Sequence, residues 1–164
     1  MLTNIRKPEA FDINYIVDID LKCFEDEWDY KIWKTVISDP TFCVLLGTVE
    51  GIPVSFVVWA TNKDEAYIKR IGVKMRHRGK GIGTQLLNSV EVILKQQGVK
   101  RVYFHATESL CHPESEFNLS SWLKNRGYGT SKLIRGTGYY CGLIEDEILF
   151  CKLLIEVTQH AQKT

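Results

Sequence analysis

AYIKRIGVKMRHRGKGIGT, residues 66–84, carries the signal from which the rest of the chain can be read. Residues 66–73 have strand composition, and Lys74 to Gly83 form a basic, glycine-rich stretch. From there Ile82, Leu86, Val90, Ile93 and Leu94 fall on one face of a helix, which Gly98 suits as a C-terminal cap. Strand, glycine turn and helix in that order make an anion site. Gly79, Gly81 and Gly83 allow a tight turn with exposed amides, and the helix N-terminus adds partial positive charge. Lys69, Arg70, Lys74, Arg76, Arg78 and Lys80 place six cations within twelve residues, so phosphate is the expected ligand. A P-loop needs G-x-x-x-x-G-K-[ST], which is absent, and the third glycine of a dinucleotide fingerprint is missing. A solvated basic turn is the alternative for an isolated G-x-G; the flanking strand and helix favour phosphate.

Outward from this stretch the elements alternate. Residues 2–6 suit a short strand. A helix follows Pro8, with Ile13, Ile16, Val17, Ile19, Leu21 and Phe24 at helical spacing, ending near Cys23. Glu25 begins an acidic loop and a second short helix, which Asp39-Pro40 stops. FCVLLGTVE and IPVSFVVWA, joined at Glu50-Gly51, read as a hairpin. VYFHA, from Val102, is a strand with Tyr103 and His105 on one face and Val102, Phe104 and Ala106 on the other. An irregular TESLCHPESEF precedes a helix that includes Ser121 to Asn125 and ends at Gly127. Strands around Leu133 and from Ile148 to Leu154 are expected, joined by a GTGYYCGLIEDE loop. The sum is a mixed α/β sheet of about seven strands.

The 164 residues suit one domain, expected over 1–155 with a frayed tail at 156–164. A net charge of +1 supplies no global field toward nucleic acid or an anionic membrane, so neither is expected as a partner. Five cysteines without a C-x-x-C pair fit neither a disulfide scaffold nor a zinc site of usual spacing; reduced thiols and no metal are expected. The charged start and the lack of an 18-residue apolar run lead to the expectation of a soluble, cytoplasmic protein.

Arg78-Gly79-Lys80-Gly81-Ile82-Gly83 resembles the R-x-x-G-x-G/A pyrophosphate loop of the GNAT superfamily of acetyl-CoA-dependent N-acetyltransferases, with IKRIGV in the place of that family's central strand. Asn118 and SWLKNRGY resemble its later N-x-x-A-x-x-F-Y-x-x-x-G-F helix, and the strand order agrees from about residue 2 to residue 154. The resemblance implies a central, mostly antiparallel sheet of about seven strands flanked by about four helices. It implies acetyl-CoA as cosubstrate, with the backbone of Ile71, Gly72 and Val73 pairing with the pantetheine arm. The amides from Arg78 through Gly79, Lys80, Gly81, Ile82 and Gly83 to Thr84 would hold the pyrophosphate, with Asn118 also on the cofactor side. The basic residues would then serve the cofactor's phosphates.

Acetyl transfer to an amine needs a neutral amine, a polarised thioester and a proton for the leaving thiolate. His105, with an ordinary pKa of about 6.5, suits removal of a proton from an α-ammonium; taken alone it reads equally as a buried, hydrogen-bonded histidine. Tyr67 and His105 resemble the Tyr and His that one branch of the N-terminal protein acetyltransferases sets around a catalytic water. Gly138-Tyr139-Tyr140-Cys141-Gly142 with Glu145-Asp146 resembles the peptide-lining hairpin of ribosomal-protein-alanine and eukaryotic N-terminal acetyltransferases. CFEDEWDYKIW resembles the same branch's substrate loop. By that likeness Phe24, Glu25, Trp28, Tyr139 and Tyr140 would hold the acceptor, a peptide or protein α-amine. Two departures stand out: Leu123 occupies the place of the family's acid tyrosine, and about eight extra residues precede Asn118. Cys111 and His112 lie in that insert and read as surface loop. The acidic runs at Glu25 and Glu145 favour a cationic acceptor. Acetylation of a lysine or small polyamine, or a weakly active CoA-binding regulatory module, are the alternatives.

Overall fold

The β-rich runs, continuously buried in the second and third and alternating in the fourth and fifth, build seven strands among the described residues: β1 (Asn4–Arg6), β2 (Phe42–Val49), β3 (Ile52–Asn62), β4 (Glu65–Val73), β5 (Arg101–Thr107), β6 (Gly129–Tyr140) and β7 (Leu143–Leu153). The computed structural model describes residues 4–112, 117–140 and 142–154, with Tyr139 and Tyr140 by their backbone. The strands form one sheet in the order β1-β2-β3-β4-β5-β7-β6. Every neighbouring pair is antiparallel except β4 and β5. That parallel pair needs a crossover, which the amphipathic helix of the glycine turn supplies.

Among the described residues five helices flank the sheet, where about four were expected: α1 (Ile13–Cys23), α2 (Tyr30–Ser38), α3 (Ile82–Gln96), α4 (Glu108–Cys111) and α5 (Leu119–Lys124). The additional one, α4, is a single turn within the stretch expected to be irregular. α1 and α2 cover one face, burying Ile16, Ile19 and Trp33 on Leu46, Phe56 and Val58. α3 and α5 cover the other, where Leu86, Val90, Leu94 and Leu123 meet Val57, Ile68, Val102, Phe104 and Phe150. α3 ends as its glycine suggested: Gly98 adopts φ +76°, the Val99 amide bonds the Leu94 carbonyl, and the Gly98 amide bonds that of Lys95.

The last hairpin corrects the sequence reading. Most of GTGYYCGLIEDE is strand: Gly138 pairs with Glu145, Tyr139 with Ile144 and Tyr140 with Leu143. The glycine-rich part is absorbed as a shift of register between Ile134 and Gly138. It is held by the Gly136 amide on Asp146 Oδ1 (2.9 Å) and the Thr137 hydroxyl on Glu147 Oε2 (2.7 Å). Cys141, residues 113–116 of the insert, residues 2–3 of the expected first strand and the expected tail at 156–164 lie outside the described residues.

One irregularity shapes the site. Opposite Val58 and Trp59 of β3, β4 presents Arg70 and Ile68, so Lys69 is an extra residue bulged out of the ladder. The bulge reverses the facing of the strand. Ile68 packs on the α3 side, whereas Arg70 and Gly72 turn toward α1. A Cβ on Gly72 would lie 2.8 Å from the Phe56 ring, so glycine here is what lets α1 lie against the sheet.

Candidate active site

The β4–β5 ladder covers only Glu65 to Ile68 against Arg101 to Phe104, although β5 stays paired with β7 as far as Thr107. Beyond Ile68 and Phe104 the two parallel strands separate, and a cavity of about 490 Å³ opens in the gap. Lys69, Arg70, Ile71 and Val73 line one side of it, and Phe104 and His105 the other. The glycine turn from Arg78 to Thr84 and the α5 residue Trp122 complete its walls.

The turn is built for an anion. Gly79 and Gly81 adopt φ of +71° and +77°, and a Cβ at either would meet nothing within 4 Å. Gly81 is the N-cap of α3 and no side chain caps it, so the first amides of a 15-residue helix are left without intrahelical acceptors beside the cavity. Arg126, which the sequence reading did not single out, also lines the cavity. It bonds the Thr84 hydroxyl and the Trp122 carbonyl and lies over the Trp122 ring. Its Nε is buried without a partner among the described residues, and burial pulls the guanidinium pKa down.

The six cations are not all aimed at phosphate. Arg70 is buried: Nη1 donates to Asp20 (2.8 Å), Nη2 donates to Asp26, and its guanidinium carbon lies 4.5 Å from the ring centroids of both Phe24 and Trp28. Asp20 also accepts from the Trp28 amide and Trp33 Nε1, so one buried carboxylate holds α1, α2 and the loop between them. Lys74 pairs with Asp18 (3.6 Å), the Arg78 Nε donates to the Val73 carbonyl (2.9 Å), and Lys80 donates to the Arg76 carbonyl. Arg70 neutralises a buried acid, Lys74 pairs with a part-exposed one, and Arg78 and Lys80 fix the turn; spacing alone could not separate them from phosphate ligands.

Of the expected acceptor-side residues, Phe24 lines the cavity, Trp28 packs beside it on Arg70, and Glu25 is exposed. Tyr139 and Tyr140 lie on β6 beside the hairpin tip rather than in a loop. His105 lines the cavity with Nδ1 3.8 Å from Glu147 Oε2. Tyr67 stands on the same sheet face, opposite Tyr103 in the ladder, with the two rings stacked at 5.1 Å. Its hydroxyl donates to Glu65 (2.6 Å), and that bond, aided by burial, pushes its pKa up to about 12.

Asn118 caps α5, its side-chain oxygen accepting from the Ser121 amide (2.8 Å). Leu123 is fully buried in the α3-side core, and its neighbour Trp122 is the residue that faces the cavity. Cys111 is half-buried, which raises its thiol pKa and disfavours a nucleophilic thiolate.

Residues 8–113 match the family model described as acetyltransferase (GNAT) family. The chain belongs to the GNAT acetyltransferases. It is therefore an acetyltransferase, with acetyl-CoA as cosubstrate. The GNAT fold recurs in solved structures. The ribosomal-protein-S18-alanine N-acetyltransferase from Escherichia coli is 17% identical with a TM-score of 0.81, over 96% of this chain and 97% of that one. Ard1 from Thermoplasma volcanium is 18% identical with a TM-score of 0.79, covering 93% and 98%. Arabidopsis thaliana NAA60, solved in complex with acetyl-CoA, is 17% identical with a TM-score of 0.75, covering 92% and 97%. No curated protein matches the sequence. Among the described residues of this GNAT chain no helix is long and apolar enough to cross a membrane, and no group of three His, Cys, Asp or Glu is placed to hold a metal.

Proposed function

We propose that this acetyltransferase modifies the α-amine at the N-terminus of a peptide or protein by direct attack, with donor and acceptor bound together. The residues present fit the donor. The open turn at Gly79 to Thr84 offers amides to a pyrophosphate, with the Arg126 guanidinium beside Thr84. Past Ile68 the β4 backbone has no β5 partner, so Ile71, Gly72 and Val73 have backbone edge to offer the pantetheine amides. Acetyl-CoA supplies the activated thioester.

One observation carries the acceptor reading: His105 is the first β5 residue after the ladder ends, and it faces the cavity at the split. In this reading its imidazole takes a proton from the incoming ammonium, directly or through water, so that a neutral amine is presented. Tyr67, like any tyrosine, is protonated at neutral pH, and its bond to Glu65 raises its pKa further, so its part is to orient an acceptor or water, with His105 taking the proton. Phe24, Glu25 and Trp28 on one side, and Tyr139 and Tyr140 on the other, would flank the peptide. The Escherichia coli neighbour is named as an alanine N-acetyltransferase, which agrees with such an acceptor, and NAA60 is also solved with a bisubstrate analogue, which agrees with donor and acceptor bound together.

The test is to incubate the protein with acetyl-CoA and peptides with free or blocked N-termini, internal lysines and polyamines, then locate the acetyl groups by mass spectrometry. Acetylation of free α-amines is expected. Product confined to blocked lysine peptides or polyamines overturns the reading.

A further inference from the structure

Of the acidic runs that favour a cationic acceptor, Asp26 and Glu145 to Glu147 are held by the chain itself while Glu25 and Glu27 are exposed, and Glu65 on β4 is held as well. Glu65 accepts from Tyr67 (2.6 Å) and Tyr103 (3.4 Å) and pairs with Arg101 (3.2 Å). Glu145 accepts from the Ser109 hydroxyl and amide, Asp146 from the Gly136 amide, and Glu147 from Thr137 with His105 beside it. Asp26 pairs with Arg70. Lys69 is different. As the bulged residue it leaves the ladder one position after Ile68, just as His105 leaves it one position after Phe104, so the two stand on opposite lips of the split. Both line the cavity. The Lys69 ammonium lies 5.6 Å from the Tyr67 ring centroid, and no carboxylate among the described residues pairs with it. Lys132, also exposed and without an ion pair among the described residues, follows in the cross-strand row from His105 through Leu149.

We propose that Lys69 is a specificity-determining residue that selects acceptors carrying a carboxylate close to the reacting amine, namely peptides with Asp or Glu as first or second residue. The inference rests on the α-amine reading and names the acceptor's chemistry. An uncompensated ammonium across the split from the base attracts such a carboxylate and repels a lysine or arginine in the same place. A free amino acid offers the same chemistry through its own carboxylate.

The test compares kcat/KM at fixed acetyl-CoA for free-N-terminus peptides that differ only at residues 1 and 2: Asp or Glu, Asn or Gln, and Lys. The same charge series is built around an internal lysine in blocked peptides, and free aspartate and glutamate form a third arm. Wild type should favour acidic over amide peptides by about three- to tenfold, less so at high salt. Lys69→Ala should bring that ratio toward one, mainly through KM; Lys69→Glu should invert it, and Lys69→Arg should restore it. An unchanged ratio in Lys69→Ala, or a uniform fall in kcat for every peptide, overturns the proposal, as does wild-type preference for basic peptides. Free amino acids outcompeting every acidic peptide would overturn the peptide source. If only the lysine series is acetylated, the α-amine reading fails, while the charge preference within that series still decides the role of Lys69.

Discussion

Arg70 and Asp20, fifty positions apart, meet in a 2.8 Å ion pair with both side chains nearly or fully buried. The pair joins β4 to α1 directly below the loop proposed to flank the acceptor. A buried acid that loses its cation is left uncompensated. Arg70→Met should therefore lower the unfolding free energy by about 3–5 kcal/mol. The double variant with Asp20→Asn should lose less than the two single changes added together, since neither charge then remains. Urea denaturation of the four proteins measures this, and strict additivity would show that the two side chains do not act as a unit.

Gly81→Val should weaken acetyl-CoA binding by about tenfold or more, because a β-branched residue resists φ of +77° and its side chain would stand at the head of α3. The domain should remain folded, as the added Cβ meets open space. Calorimetry with acetyl-CoA on the folded variant decides it, and unchanged affinity would remove the turn from the donor site. Arg126→Met should also weaken the donor while leaving acceptor selectivity intact.

His105→Ala should reduce kcat by about 100-fold with acetyl-CoA affinity retained. Tyr67→Phe acts differently. The Tyr67 hydroxyl titrates higher in the fold, about 12, than in the unfolded chain, about 10, so the bond to Glu65 contributes stability in full below pH 10. That contribution is lost as pH rises toward 12. Stability curves of wild type and Tyr67→Phe should hence converge over this window; parallel curves up to pH 12 would mean that the bond does not shift the titration.

Leu123→Tyr, which restores the residue usual in the family, should not raise kcat. Leu123 is fully buried in the core between α5 and the sheet, so a larger polar side chain should cost about 1–3 kcal/mol. Thermal denaturation together with turnover tests it. A faster, equally stable variant would show that this position does reach the leaving thiolate.

The order of elements was legible because each carries its own period: α3 announces itself by Ile82, Leu86, Val90 and Leu94, and β5 by the alternation that separates His105 from Phe104. The glycine turn was legible because few residues other than glycine accept its backbone angles. Arg70 was not legible as a core residue. In sequence it is one cation among six, and only the bulge at Lys69, a property of pairing with β3, turns it inward. The same bulge turns a routine surface lysine into a cavity-lining one. Leu123 looked like a missing acid by motif, whereas helix rotation buries it and brings Trp122 to the cavity. In the final hairpin glycine density signals a loop, yet a shift of register can absorb glycines without ending a strand.

Only four residue pairs join β4 to β5, and among the described residues β4–β5 is the sole ladder between β1–β4 and β5–β7, although the α3-side core spans both. The molecule thus has a seam, bridged covalently by α3 and its flanking turns. A donor lying in that seam would act as a temporary eighth strand, with its amides taking the place of absent neighbours. Substrate capture and the cohesion of the two halves then become one thermodynamic quantity, and the resistance of the protein to heat should rise with the logarithm of donor concentration.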